Sequence, residues 1–236
     1  MWAGSPVLFP HVSYNVADGK EGQYRLNGTL YSSPQHGFGR RVPWRIADRT
    51  PTAVTMEITD SDATRPSYPF AFRYALTYRL ERGRLHWHQR IENRDAQPLP
   101  FSAGFHPYLR LPDVPRAGWE VGLPARRHVV TDARGIPTGA SEPVPASSGP
   151  LGDTTYDDGY DGLGEAPAFV LAGGGRRITT RFVDGFPVAQ VYAPADADVI
   201  CFEPMTAPVD ALRTGDRLPV LGPGASLTAA FTITVG

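Results

Sequence analysis

Two ionisable side chains of this sequence stand in apolar surroundings. Glu203 follows the apolar run VICF and is closed by Pro204, which predicts a carboxylate at the end of a buried strand. His106 stands in the segment GFHPYL, between aromatic residues and a proline. Burial removes water from a carboxylate, which raises its pKa and makes it a better proton acceptor at neutral pH. A glutamate and a histidine at strand ends would supply one base and one acid, the minimum needed to move protons between two oxygens of one substrate.

Each of these residues also has a structural interpretation when taken alone. A carboxylate at a strand end can be held by backbone amides, and a single buried histidine more often packs than catalyses. Two further polar residues stand in turn-rich segments, His36 in PQHGFGR and Asp157 in TTYDDGYDGL. The combination of an acid and a base is what favours a catalytic site over packing.

Other chemistries have no support in the sequence. No Walker-type glycine loop, dinucleotide fingerprint or GxSxG elbow occurs, which argues against nucleotide use and an esterase-type nucleophile. His86 and His88 lie two apart on a predicted strand and lack a third ligand in a motif, so we expect no metal. The 23 basic and 24 acidic residues give a net charge of −1, which indicates neither a nucleic-acid nor a membrane partner.

The compartment is predicted from what the sequence lacks. Cys201 is the single cysteine, which excludes an internal disulfide and fits a reducing cytoplasm. No apolar run approaches the roughly 20 residues that span a bilayer, and the opening MWAGSPVLFPHVSYN lacks signal-peptide regions. We expect a soluble cytoplasmic protein with a small, neutral partner, and the sequence leaves its oligomeric state open.

Alternating apolar residues predict an all-β fold. From Phe70 to Leu80 every second residue is apolar, the turn ERGR follows, and residues 70–92 are predicted to form a hairpin. The same period recurs at 54–58 and 227–235, and no sustained helical period occurs. The proline-rich stretch 136–150 is predicted to be a surface excursion. Residues 1–236 are therefore expected to form one β-sandwich or barrel domain with long loops.

Several segments together resemble one family. LPFSAGFHPYLRLP resembles the GxHPYF segment of the aldose 1-epimerase (galactose mutarotase) family, with Leu109 in place of phenylalanine. VICFEPMTAPVDAL resembles its CxEPxTxxPNAL segment, and SPVLFP with YRLNGTLYSSPQHGFGRRVPW resembles its early PxLFP, HGFxR and W blocks. TTYDDGYDGL is similar to its LDxxFxxL segment, and LPVLGPGASLTAAFTITV to its closing PG segment. These blocks follow the family's order over nearly the whole chain.

The resemblance implies a large galactose-mutarotase-like β-sandwich, or supersandwich, that needs no cofactor and no metal. It implies that the protein interconverts the α and β anomers of a free aldose by opening and reclosing the sugar ring. The implied base is Glu203 and the implied acid is His106. His36 and Asp157 are implied to bind sugar hydroxyls, and Tyr108 is a candidate for stacking on the sugar.

Two departures from the family pattern keep alternatives open. The family usually carries an arginine shortly after the LFP block, where this chain has Ser13, Tyr14 and Asn15, and Tyr14 or Asn15 could substitute as hydrogen-bond donors. The chain also begins almost at SPVLFP, without the family's usual N-terminal strands. The alternatives are a non-catalytic carbohydrate-binding or regulatory protein and a hexose-6-phosphate 1-epimerase, for which Arg40 and Arg41 would be the phosphate-binding candidates.

Overall fold

The computed structural model describes residues 4–236, and their regular structure is almost entirely β. The strands are Val7–Leu8 (β1), Val16–Ala17 (β2), Lys20–Glu21 (β3), Gln23–Leu26 (β4), Thr29–Ser32 (β5), Arg45–Arg49 (β6), Ala53–Thr59 (β7), Phe72–Glu81 (β8), Arg84–Asn93 (β9), Leu99–Pro100 (β10), Gly104–Phe105 (β11), Tyr108–Leu109 (β12), Glu120–Leu123 (β13), Arg126–Thr131 (β14), Pro137–Val144 (β15), Ser147–Pro150 (β16), Tyr156–Asp161 (β17), Ala168–Gly173 (β18), Arg176–Asp184 (β19), Val188–Ala193 (β20), Ile200–Met205 (β21), Val220–Leu221 (β22) and Ser226–Val235 (β23). The helices are a 3₁₀ turn at Arg116–Gly118 and the short α1 at Ala211–Thr214.

A nine-stranded antiparallel sheet contains the strands with the clearest alternation. Its order is β16-β13-β18-β19-β23-β9-β8-β7-β6. The predicted hairpin is confirmed as β8 and β9, which pair from Phe72 opposite Asn93 to Glu81 opposite Arg84. The alternation at 54–58 and 227–235 is likewise confirmed as β7 and β23.

An eight-stranded sheet lies against the first. Its order is β1-β11-β21-β20-β17-β14-β15, with β12 pairing to β21 beyond the end of β11. Aromatic side chains of the two sheets meet between them: Phe105 packs on Phe231 with ring centroids 5.2 Å apart, and Phe169 packs on Phe202 at 5.4 Å. The predicted all-β sandwich is confirmed, and the inner face of each sheet contributes to a common core.

The stretch 136–150 differs from what its sequence predicts. It is exposed, as expected of a surface excursion, but it contains two strands rather than an irregular loop. β15 pairs with β14 at one edge of the eight-stranded sheet, and β16 pairs with β13 at one edge of the nine-stranded sheet. Proline is tolerated on edge strands because one side of such a strand needs no ladder hydrogen bonds. The many prolines and small polar residues of this stretch therefore predict turns, although β15 and β16 lie at the edges of the two sheets.

Neither helix found in residues 4–236 has the length and apolar character needed to cross a membrane. The shared core is consistent with the predicted single domain, which stays a prediction, and its first three residues lie outside the described residues.

Candidate active site

The register of the eight-stranded sheet brings His106 and Glu203 together. β11 pairs with β21 through Gly104 and Met205, and β12 continues in the same register farther along β21. Continuing that register across the gap between β11 and β12 sets His106 directly opposite Glu203. Side chains that are directly opposite on one face of an antiparallel pair lie close together. Nε2 of His106 accordingly lies 3.2 Å from Oε1 of Glu203.

Two prolines explain why the ladder is interrupted at this point. Pro107 and Pro204 have no N–H group, so neither can donate a ladder hydrogen bond. The His106 N–H instead donates to the carbonyl oxygen of Pro6, 3.1 Å away. The structure also corrects the position predicted for Glu203: β21 continues through Pro204 to Met205, so this carboxylate lies within a strand and not at its end.

Burial sets the protonation of this pair. Glu203 is 1% exposed and His106 is 8% exposed. Loss of water raises the pKa of Glu203 well above its usual value, and the nearby charge of Asp157 raises it further. Burial also lowers the pKa of His106 to about 4. Both shifts favour the uncharged forms, carboxylic acid and imidazole, which together hold one proton.

His36 approaches the pair from a loop. Its backbone is in the left-handed region, with φ at 62°, and the following Gly37 packs so closely on the carbonyl of Phe9 that a Cβ would not fit. The Ser13 N–H donates to Nδ1 of His36 at 3.0 Å, which leaves the ring proton on Nε2. The edge of one imidazole faces the other, with the rings of His36 and His106 5.8 Å apart. Burial, reinforced by the charge of Arg40, lowers the pKa of His36 to about 3, so it is a neutral hydrogen-bond donor.

Asp157 is linked to the pair through a residue that the sequence analysis missed. Gln190 pairs with Glu203 on one side and with Gly159 on the other, so one row of the sheet runs from the His106–Glu203 pair toward β17. Nε2 of Gln190 donates to Oδ1 of Asp157 at 2.8 Å. The carboxylate of Asp157 remains exposed toward the cavity. Nothing in the local sequence marks Gln190, because its position depends on the register of β20 with both neighbours.

Two tyrosines hold the imidazole of His106. The ring of Tyr108 stacks on it with centroids 4.5 Å apart and planes 12° apart, and its hydroxyl lies 3.4 Å from Nε2. Tyr192 meets the same imidazole edge to face at 5.7 Å. These contacts restrict rotation of the imidazole. Tyr108 is a predicted site residue, whereas Tyr192 was not predicted because the alternating pattern alone makes it a packing residue.

The predicted residues differ in their access to a cavity of about 400 Å³ above this face of the sheet. Six of the seven line it: Tyr14, His36, His106, Tyr108, Asp157 and Glu203. Asn15 is not among the lining residues. Its side chain is 1% exposed, and its amide oxygen and nitrogen have no hydrogen-bond partner within residues 4–236. The structure therefore does not bring Asn15 to the cavity.

Two arginines reach the cavity: Arg40, a phosphate-binding candidate from the sequence, and Arg134, which no sequence motif indicates. Arg40, four residues after His36, lines the cavity, and Nη2 donates to the carbonyl oxygen of Gln35 at 3.2 Å. Arg134, in the turn between β14 and β15, also lines it and pairs with Asp132 at 2.9 Å. The guanidinium expected after the LFP block is thus absent there, but the cavity has two from other segments. The sequence around Arg134 carries no motif that could have indicated this.

The fold and the cavity define an all-β protein with a buried histidine–glutamate pair at the floor of a polar cleft. The chain belongs to the aldose 1-epimerase family, whose model matches residues 11–234.

Solved structures agree on the fold. The chain is similar to the Slr1438 protein from Synechocystis sp. PCC 6803, with 26% identity, a TM-score of 0.83, and coverage of 99% of this chain and 78% of that one. It is similar to a galactose mutarotase related enzyme from Lactobacillus acidophilus, with 22% identity, a TM-score of 0.85, and coverage of 98% and 82%. A galactose mutarotase-like protein from Lactobacillus casei ATCC 334 gives 24% identity, a TM-score of 0.78, and coverage of 98% and 85%. No match was found among curated proteins. The galactose-mutarotase-like fold is confirmed.

Proposed function

We propose that the protein is an aldose 1-epimerase that interconverts the α and β anomers of a free sugar. The observation that carries the proposal is the contact of 3.2 Å between Nε2 of His106 and Oε1 of Glu203 at the floor of the cavity. The hydroxyl oxygen O1 and the ring oxygen O5 of a pyranose are bonded to the same carbon, C1. An acid and a base that serve these two oxygens in one step must therefore be neighbours.

Ring opening transfers two protons. The Glu203 carboxylate accepts the proton of O1–H, and the His106 imidazolium donates its Nε2 proton to O5. The C1–O5 bond breaks and C1 becomes the aldehyde carbon. Rotation about C1–C2 and reclosure with the two roles reversed gives the other anomer and restores both groups. The protein gains and loses no net proton in the cycle.

The buried setting of the pair suits this exchange. The reactive form, carboxylate with imidazolium, and the form left after ring opening, carboxylic acid with imidazole, carry the same number of protons. Burial favours the uncharged form of each group, so it favours proton transfer in the direction of ring opening. The same burial limits the fraction of reactive ion pair in the free protein.

Neighbouring groups would bind the sugar. His36 offers its Nε2 proton to a sugar oxygen, and the Asp157 carboxylate accepts from sugar hydroxyls while Gln190 holds it in place. Tyr108, with Tyr192, would fix the imidazole and offer apolar surface to the C–H face of the ring. Tyr14 supplies a further hydroxyl at the cavity wall.

Anomer exchange measured by NMR on a panel of aldoses tests the proposal. We expect exchange well above the buffer rate, and losses of at least about 10²-fold in Glu203→Gln and His106→Asn. Because the two groups act as one unit, the double variant should lose little more than either single variant. Saturable sugar binding by calorimetry without exchange would instead show a carbohydrate-binding protein.

A second candidate, an epimerase of hexose 6-phosphates, is favoured by Arg40. This guanidinium lines the cavity, and no carboxylate lies within ion-pair distance of it among residues 4–236. Desolvation of Arg40 lowers its pKa, and an anionic group on the substrate would offset this desolvation of the guanidinium. Exchange rates of glucose and glucose 6-phosphate, measured in the wild type and in Arg40→Gln, separate the two candidates. If Arg40 binds the phosphate, the variant should lose more exchange with glucose 6-phosphate than with glucose.

A cytoplasmic role in carbohydrate metabolism completes the proposal. It is supported by the family and by Cys201, which is the single cysteine of the chain and is unpaired. Fractionation of the source cells with an antibody to the chain would test the location.

A further inference from the structure

We propose that His106, Cys201 and Glu203 form a binding site for a thiophilic divalent cation such as Zn²⁺, and that the bound cation blocks the acid/base pair. Binding of the cation does not depend on the proposed function, whereas its inhibitory effect does. One imidazole nitrogen of His106, Sγ of Cys201 and one carboxylate oxygen of Glu203 all lie within 4.8 Å of one another.

The sheet itself creates this cluster. Cys201 and Glu203 are two residues apart on β21, so their side chains leave the sheet on the same face. His106 lies opposite Glu203, and Tyr108 pairs with Cys201. Cys201 and Glu203 are thus held by the pairing of β21, and His106 is held by the two strands that flank it, β11 and β12.

The distances suit a tetrahedral ion after a small adjustment. Ligand bonds of about 2.0–2.1 Å for nitrogen and oxygen put two such atoms about 3.3 Å apart around one tetrahedral zinc ion. Nε2 of His106 and Oε1 of Glu203 are already 3.2 Å apart. The Cys201 sulfur has to approach them, since a zinc–sulfur bond of about 2.3 Å allows a sulfur-to-nitrogen distance of only about 3.6 Å.

The donor set selects the class of cation. One imidazole nitrogen, one thiolate sulfur and one carboxylate oxygen suit zinc and similar ions, whereas Mg²⁺ and Ca²⁺ prefer oxygen alone. Three protein ligands leave a fourth position, which would face the cavity and take a water or a sugar hydroxyl. A cation held there occupies the lone pairs that His106 and Glu203 need for proton transfer.

The cation takes neutral imidazole, carboxylate and thiolate as ligands, so its binding releases protons. The titratable and charged groups around the cluster are Tyr108, Tyr192, Asp157, His36 and Arg40. The positive charge of Arg40 opposes the cation, and the negative charge of Asp157 favours it.

A metal titration of the whole chain tests the site. Zn²⁺ affinity is measured by competition with a chromophoric chelator, and Co²⁺ is used to detect a thiolate-to-metal charge-transfer band. We expect saturable one-to-one binding and the band in the wild type. Cys201→Ala should abolish the band and weaken Zn²⁺ binding at least about tenfold. Cys201→Ser, which keeps the size of the side chain, replaces it if the alanine variant does not fold.

Matched controls decide where a bound ion lies. His86 and His88 lie on β9 of the other sheet, so the double variant His86→Gln/His88→Gln should bind Zn²⁺ like the wild type. Absence of saturable binding, or equal Zn²⁺ affinity in wild type and Cys201→Ala, would overturn the proposal. Zn²⁺ binding with undiminished anomer exchange would overturn the inhibitory role alone.

Discussion

The two large sheets each bury a glutamate, and the two glutamates have opposite surroundings. Glu57 on β7 is held by Arg45 and by Arg73, whose Nη2 lies 2.6 Å from Oε2. Within residues 4–236 the ion-pair partner of Glu203 on β21 is His106, which burial keeps neutral. A buried carboxylate with a positively charged partner is typical of a structural ion pair. A buried carboxylate that lacks such a partner and has a raised pKa is typical of a functional group. The nine-stranded sheet thus holds its glutamate in ion pairs that stabilise the fold, and the eight-stranded sheet holds a glutamate whose uncharged form is favoured.

Replacing each glutamate by glutamine should separate these roles, and this is the largest effect that we predict. Glu203→Gln should lower the rate of anomer exchange by at least about 10²-fold without loss of stability, because no partner cation is abandoned. Glu57→Gln should keep the rate within about twofold and cost about 1–2 kcal/mol, discounted because both arginines are partly exposed. The measurements are NMR exchange rates and urea unfolding. A loss of exchange rate in Glu57→Gln with intact folding would contradict the purely structural role of Glu57.

The difference between the sheets also explains what could be predicted from the sequence. The hairpin of β8 and β9 was predictable because its alternation continues for ten residues on each strand and its turn is local. His106 and Glu203 were each predictable as candidates from their own segments. Their contact was not, since it depends on a register between segments about a hundred residues apart, which local alternation does not specify.

Local sequence patterns could not predict which residues outside the motifs line the cavity. Gln190 and Tyr192 alternate with apolar neighbours on β20, a pattern that indicates a strand but does not show which face meets a cavity. Arg134 reaches the cavity only because β14 and β15 place their turn above it. The position of Asn15 was mistaken for the opposite reason: it stands beside Tyr14 in the sequence, but the chain buries it away from the cavity.

The pH dependence of activity should reflect the protonation of His106 and Glu203. The active form carries one proton, so kcat/KM falls when His106 takes a second one. Because burial lowers the pKa of His106 to about 4, kcat/KM should remain level down to about pH 4 and then fall about tenfold per pH unit. A histidine with an ordinary pKa of about 6.5 would instead begin this fall more than two pH units higher. An acid limb near pH 6.5 would contradict the assigned protonation.

Stability sets the range in which that profile can be measured. His11, His36 and His106 have lowered pKa values in the folded chain, so between about pH 6.5 and 4 the unfolded chain binds more protons than the folded one. Folding stability should therefore fall as the pH falls through this window. Thermal melts at each pH would distinguish loss of the fold from loss of activity.

Adjacent aspartates on β17 offer a smaller, matched test. Asp157 lines the cavity, while Asp158 lies next to it on the strand and contacts Nε2 of His128 at 3.0 Å. Asp157→Asn should raise KM about tenfold through loss of a charge-assisted hydrogen bond of about 1.5 kcal/mol. Asp158→Asn should leave KM unchanged because successive side chains of a strand point to opposite faces. Steady-state kinetics on both variants would decide, and equal effects would remove Asp157 from the sugar site.

The smallest predicted effect again compares the two sheets, through one glycine in each. A Cβ on Gly159 would lie 3.3 Å from Oε1 of Gln190, the mobile end of a side chain, whereas a Cβ on Gly122 would lie 3.3 Å from Cβ of Val170, which is fixed to the backbone of β18. Gly122→Ala should therefore cost about 1 kcal/mol of stability through overpacking and leave kinetics unchanged. Gly159→Ala should be nearly neutral in unfolding and raise KM a few-fold, because Gln190 must shift away from Asp157 to make room. Urea unfolding and KM for both variants give four values. If Gly159→Ala lowered stability and left KM unchanged, the row from Glu203 through Gln190 to Asp157 would be packing and not part of the sugar site.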